Sequence, residues 1–273
     1  MEPNAKLHLE FKKKKSGESY IARQSCQMPL QVFPAHHLEE DGSAFVYLLN
    51  PSSGMLEGDL FDIQFHLKEC SQAVITTPSS NKIYCSKGAK TTQMVTANVE
   101  AGSVLEYIPE HNVPYKNSKF RQKSVFHVEK GGILFTWDVV MPGRIAREEC
   151  FDFTAYQSDI SLYYDGRLKL REGVKIIPEE FDPHNPAILE KYQIFTTMYL
   201  VTEEIPTIIL EKVREYLQEK ESVMGGISIP DEHVLVIKLL FEKNLGMQEV
   251  LWDIWNLVRL ETLGKKACRI RKY

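Results

Sequence analysis

Carboxylates are the residues of this chain best placed to do chemistry. Glu57, Asp59, Asp62, Glu106, Glu110, Glu148 and Glu149 fall in or beside short runs rich in Gly, Pro and Asn, and Glu106 stands inside the apolar run Leu105-Glu106-Tyr107. A carboxylate within a β core is costly unless it is paired, hydrogen-bonded or facing water. Three uses fit such a set. Two carboxylates flanking a glycosidic bond would act as acid and base. Glu106 or Glu148 would form a structural ion pair with Arg144 or Arg147. Or the acids would line a water-filled passage.

Other chemistry leaves no motif. Lys87-Gly88-Ala89-Lys90-Thr91-Thr92 has Ala89 where a phosphate loop needs its second glycine, and the chain holds no Gly-x-Ser-x-Gly, His-Glu-x-x-His or Gly-x-Gly-x-x-Gly. The eight histidines are scattered, with His36-His37 the one adjacent pair; neighbours on a strand point to opposite faces and make a poor chelate. The five cysteines, Cys26, Cys70, Cys85, Cys150 and Cys268, are an odd number without a Cys-x-x-Cys pair, which reads as reduced thiols.

The elements that must position these side chains are mostly strands. From Lys6 to about Leu200 the apolar period is two, clearest in Phe61-Asp62-Ile63-Gln64-Phe65-His66-Leu67. Further strands are expected over Ala44–Leu49, Ala73–Thr77, Gln93–Val99, Ser103–Ile108, Ser124–Val128, Ile133–Val140, Glu149–Tyr156, Ile160–Tyr164 and Gln193–Val201. Strands at about ten-residue spacing mean a sandwich, a barrel or a β-solenoid. The fold class is therefore mostly β, β-solenoid-like (β-helical) or sandwich-like. No internal repeat with matching residues stands out, although a solenoid can hide one.

The tail differs. Pro206 to Glu221 predicts an amphipathic helix stopped by Gly225-Gly226, Val234 to Phe241 a buried strand, and Met247 to Leu263 a second helix ending at Gly264. Asp182 to Pro186 predicts a surface loop, and Lys12-Lys13-Lys14-Lys15 a solvated strand end or turn before Ser16-Gly17. We read residues 1–273 as one domain, with about 1–202 β-rich and 203–273 a helix-strand-helix tail packed on it.

Composition narrows the partners. With 43% hydrophobic and 26% charged residues and a net charge of −4, the chain reads as an ordinary globular protein and not as a nucleic-acid binder. No apolar stretch reaches the roughly 18 to 20 residues that span a bilayer, and Met1 to Glu10 lacks the apolar core of a signal peptide. No membrane and a cytoplasmic location are expected.

Five short motifs carry a family resemblance. They are Asn50-Pro51-Ser52-Ser53-Gly54 with Gly58-Asp59, then Thr76-Thr77-Pro78, Lys82-Ile83-Tyr84, Leu105-Glu106-Tyr107-Ile108-Pro109-Glu110, and Pro142-Gly143-Arg144-Ile145-Ala146-Arg147-Glu148. In this order and spacing the chain resembles the urease accessory protein D (UreD, also UreH) family, from about Leu7 to its C terminus. The resemblance implies a largely β, solenoid-like scaffold with two helices and no activity of its own. It implies assembly with accessory proteins F and G, the latter a GTPase, and docking onto apo-urease for nickel delivery. It implies no tightly bound cofactor, with nickel(II) in transit through a water-filled passage. On this reading Asp59, Glu106 and Glu148 are the candidate passage lining, with Arg144 or Arg147 balancing part of their charge. Asn50, Gly54, Gly58, Thr76, Thr77, Lys82, Tyr84, Gly143, Arg144 and Arg147 are structural, with Gly58 and Gly143 where the backbone turns tightly or another strand approaches. Leu251, Trp252 and Trp255 on the second tail helix would contact a partner, or else both tryptophans are core. The family's usual second glycine after Asn-Pro-Ser is Ser53 here, so Ser53 should not need a positive φ. A family tail resembling Pro-Arg-Ile-Trp is replaced by Cys268-Arg269-Ile270-Arg271-Lys272-Tyr273. The competing class is a carbohydrate-active enzyme using a carboxylate pair.

Overall fold

The computed structural model describes residues 2–180, 182, 183, 185 and 188–268. The chain opens with Ala5–Lys13 (β1), Ser19–Cys26 (β2), Gln31–Val32 (β3) and Ala44–Leu49 (β4). It then winds as coils: Leu60–Leu67 (β5), Gln72–Thr76 (β6), Asn81–Ile83 (β7), Thr91–Val99 (β8), Val104–Ile108 (β9), Asn112–Pro114 (β10), Lys119–Val128 (β11) and Ile133–Val140 (β12). Ala155–Tyr164 (β13), Arg167–Ile176 (β14) and Ile194–Val201 (β15) follow. Ile208–Gln218 (α1), Val223–Asp231 (β16), Val234–Phe241 (β17) and Met247–Leu263 (α2) close the chain.

Two sheets result. The smaller runs β14-β13-β11-β8-β5-β1-β2 and the larger β16-β17-β15-β12-β9-β6-β4-β3. Within the coils β5, β8, β11 and β13 pair in parallel, as do β4, β6, β9 and β12. This is the solenoid alternative. Parallel stacking with both sheets facing inward buries Phe61, Ile63, Phe65, Phe126, Leu105 and Leu134 between them.

The solenoid does hide a repeat. At one end the chain crosses by four-residue turns, Lys68–Ser71, Glu100–Ser103 and 129–132, each closed by a backbone bond from its last N–H to its first C=O. The third residue of each, Cys70, Gly102 and Gly131, has positive φ. The sequence conceals the repeat because residue types recur only in part, as in Glu100 with Glu129 and Gly102 with Gly131, while the geometry recurs in all three turns. At the opposite end the crossings are long, 50–59, 77–90, 109–118 and 141–154, and these carry most of the motif residues.

Several strand and helix expectations agree with the structure, and others need correction. Val234–Phe241 and Met247–Leu263 have the expected bounds. Residues 149–154 are not a strand: Phe151, at φ 58°, and Phe153 reach the core from a loop, which mimics strand alternation. The first tail helix ends at Gln218, and Gly225-Gly226 lies in β16, where a Cβ on Gly225 would stand 2.6 Å from Leu239 Cδ2. So the tail adds β16 and β17 to the larger sheet, with α1 and α2 on its outer face. The hairpin after β13 uses Asp165-Gly166, both with positive φ, and leads into the unexpected edge strand β14. Lys12-Lys13 ends β1 and Lys14 begins the turn. The loop expected over Asp182 to Pro186, and the tail from Arg269 to Tyr273, lie partly or wholly outside the described residues.

Candidate functional site

The long-turn end is built from the motif residues. Asn50 Oδ1 accepts from the Ser52 N–H at 3.2 Å, a local turn that leads to Gly54. Gly54 has φ 149° and a Cβ there would fall on the Lys82 carbonyl oxygen, so only glycine fits between the two crossings. Ser53 has no positive φ, as expected. Thr76 Oγ1 donates to the Ile108 carbonyl at 2.7 Å, and Thr77 Oγ1 accepts from the Glu110 N–H at 2.8 Å, tying the second crossing to the third. Tyr84, Tyr115 and Arg144 pack in a row across successive crossings: the tilted rings have centroids 5.0 Å apart and the guanidinium lies 4.1 Å from the Tyr115 centroid. Gly58 and Gly143 both have positive φ, and a Cβ on Gly143 would stand 2.8 Å from the Glu149 carbonyl oxygen.

The three acids expected to share a passage do not come together. Asp59 locks a turn: its Oδ1 accepts from Asn4 Nδ2 and its Oδ2 from the Leu56 N–H, each at 2.7 Å. Glu148 is exposed, in a left-handed conformation after the 3-10 turn Ile145–Arg147, and Arg147 is exposed too. Arg144 pairs with Glu149 rather than Glu148; its Nε donates to Glu149 Oε2 at 2.7 Å. Glu106 points to the outer face of β9, since its neighbours Leu105 and Tyr107 face the other sheet. There it meets α2. Arg259 Nε donates to both Glu106 oxygens at 2.8 and 3.0 Å, and Trp255 Nε1 donates at 2.9 Å. Arg259 continues to Glu39 through Nη2 at 2.8 Å, and Lys265 reaches Asp41. Burial pushes the Glu106 carboxyl above its usual range, and Arg259 and Trp255 pull against that. Glu106 is thus in a structural ion pair, but with Arg259 from the far end of the chain and not with the expected Arg144 or Arg147.

The tryptophans resolve the same way. Leu251 and Trp255 are buried, so they are core and not a contact surface, while Trp252 is half-buried with its ring 5.1 Å from that of Trp255.

A cavity of about 110 Å³ lies between the sheets, rimmed by Asn50, Gly54, Thr77 and Lys82. It has room for several waters. Its acids are Glu110, Asp138 and Glu172. Asp138 stands at the centre of a hydrogen-bond network. Ser158 Oγ donates to its Oδ2 at 2.7 Å, and Asn112 Nδ2 to its Oδ1 at 3.1 Å. Tyr156 Oη lies 3.4 Å from both oxygens. Asn112 Nδ2 also lies 3.4 Å from Gln122 Oε1, which accepts from Gln93 Nε2 at 3.2 Å. Burial raises the Asp138 pKa above the usual carboxylate range, and the donated hydrogen bonds offset part of that. Glu110 is buried with Oε2 3.3 Å from His111 Nδ1, and Glu172 pairs with Lys238. Sequence reasoning passed over Asp138 and Glu172 because it weighed acids near motifs. The available signal was phase: Asp138 shares the inward face of β12 with Leu134, Thr136 and Val140.

Among the described residues no group of three or more His, Cys, Asp or Glu is arranged to hold a metal ion, and no helix is long and apolar enough to cross a membrane. All five cysteines are free.

The architecture is a two-sheet β-solenoid that encloses an acidic, amide-lined cavity and seals its outer face with two helices. Residues 3–272 match the family model described as UreD urease accessory protein, and the chain belongs to that family. It is 27% identical over 270 residues to a urease accessory protein UreD of Cenarchaeum symbiosum, covering 97% of this chain and 95% of that protein. Against the UreD protein of Pseudomonas fluorescens the identity is 31% over 221 residues, 81% of this chain and 77% of the relative. Against that of Lachnoclostridium phytofermentans it is 24% over 238 residues, 87% of each. The family is one of accessory proteins, not catalysts, which removes the carbohydrate-active alternative.

Proposed function

We propose that this chain is a cytoplasmic scaffold of urease maturation that joins accessory protein F, and through it the GTPase accessory protein G, to apo-urease, and that nickel(II) crosses it through the cavity between the sheets. The observation that carries the reading is Asp138, a carboxylate aimed into a polar cavity between two otherwise apolar faces. Its neighbours offer carboxylate, amide and hydroxyl oxygens. Such donors bind nickel(II) more weakly than imidazole or thiolate, so they lower the cost of moving the ion through protein without holding it. Glu110, Asp138 and Glu172 take the role first expected of Asp59, Glu106 and Glu148.

The test is co-expression of Asp138→Asn with the accessory set and apo-urease, with assembly followed by size-exclusion chromatography and nickel by elemental analysis. We expect the complex with F, G and urease to form and the urease to be poor in nickel. Urease fully loaded in the presence of the variant would overturn the passage. A well-behaved chain that never associates with F would overturn the scaffold role.

A further inference from the structure

Thr197 and Glu172 carry the lining of the cavity toward the edge of the two sheets, where a row of polar side chains continues. Asp138 on β12 pairs in register with Thr197 on β15, and Thr197 with Lys238 on β17. All three share the phase of inward-facing residues: Val234, Val236 and Lys238 alternate with Leu235, Ile237 and Leu239, which turn to the helices. Neighbouring strands are about 4.8 Å apart, so the row advances toward the edge in two such steps. On the facing sheet, β14 presents Leu170, Glu172, Val174 and Ile176 inward, with Glu172 lining the cavity. An acid on the edge strand of one sheet and a lysine on the penultimate strand of the other therefore share the inward phase, with the lysine's end in solvent. They meet as an ion pair.

We propose that Lys238 is an exchangeable plug at this side mouth: its ammonium holds the place of a divalent cation on Glu172, and cargo passes the edge by displacing it. This rests on the cavity being the nickel passage. The side chains differ in a way that suits exchange. Lys238 is 60% exposed and Glu172 only 18%, so the lysine is solvated and tethered by a flexible stem while the acid stays at the mouth. Arg259, by contrast, is 1% exposed and forks between two acids. A second edge pair, Lys169 with Asp231 at 3.4 Å, joins the same two sheets but uses no cavity carboxylate, and provides an internal control.

The test titrates nickel(II) chloride into the full chain by calorimetry, with accessory protein F co-purified where soluble yield requires it. Lys238→Met is expected to tighten nickel binding by about tenfold, the scale of one freed charge-assisted contact. The gain should vanish in Lys238→Met with Glu172→Gln, and Lys169→Met should leave affinity unchanged. Lys238→Gln replaces the methionine variant if that fails to fold. Equal tightening by Lys169→Met would show a general charge effect and overturn the plug. Unchanged affinity in Lys238→Met, while Asp138→Asn still weakens binding, overturns the plug and leaves the passage standing. If Asp138→Asn and Glu172→Gln are both without effect on nickel, passage and plug fall together.

Discussion

Glu106 and Asp138 sit on β9 and β12, adjacent parallel strands of one sheet, and differ in the face from which they point. Glu106 faces out, under α2, where Arg259 and Trp255 bond it in a dry contact. Asp138 faces in, where neutral amides and hydroxyls surround it at the wall of the cavity. The same side-chain chemistry thus serves as a rivet in one place and, on the proposed function, would meet the passing cation in the other. What separates them is the compensating group. A guanidinium pairs with Glu106, whereas only neutral groups donate to Asp138.

The largest effect should come from breaking the rivet. Arg259→Met leaves Glu106 buried without its counter-charge, and we expect a loss of about 3–5 kcal/mol in denaturant unfolding. Adding Glu106→Leu should recover much of that, because an apolar replacement no longer carries an unpaired charge. Little recovery would mean that Arg259 acts chiefly through Glu39.

Next comes the turn that rims the cavity. Gly54→Ala combines an unfavourable φ with overlap on the Lys82 carbonyl, and should cost at least about 1–3 kcal/mol and lower soluble yield. Thermal melts that match the parent would show that the crossings can shift apart.

Asp138→Asn sharpens the contrast through pH. Burial raises the native Asp138 pKa, so the native state holds its proton more tightly than the unfolded chain. The parent's stability from this group is full below the ordinary carboxylate range and is lost as pH rises through the raised native value. The asparagine variant lacks that slope. Its melting temperature should therefore exceed the parent's by a margin that grows from acid to neutral pH, while urease nickel content falls. A margin independent of pH would show that Asp138 has the same pKa in the native and unfolded states.

The smallest effect is expected at the rim of the rivet. Lys265 and Asp41 are 24% and 31% exposed, and Lys265→Ala should cost less than about 1 kcal/mol. A larger loss would extend the dry network outward.

The strand-rich body, the two tail helices, the structural place of Gly54, Gly58 and Gly143, and the family were legible in the sequence, because period, turn residues and ordered motifs are local. Alternation also held enough to separate Leu105 and Tyr107 from Glu106. It could not say which face of a strand would meet a helix folded back from residues 247–263, and that decided whether Glu106 was wet or riveted. The choice of Glu149 over Glu148 for Arg144 was likewise made by a turn that leaves Glu148 in a left-handed conformation at the surface. Asp138, Thr197, Lys238 and Glu172 are far apart in the chain and come together only through strand register and the facing of two sheets. A row of that kind exists in no segment of sequence; the tertiary structure made it because register fixes which side chains share a face, and sheet packing fixes what that face confronts.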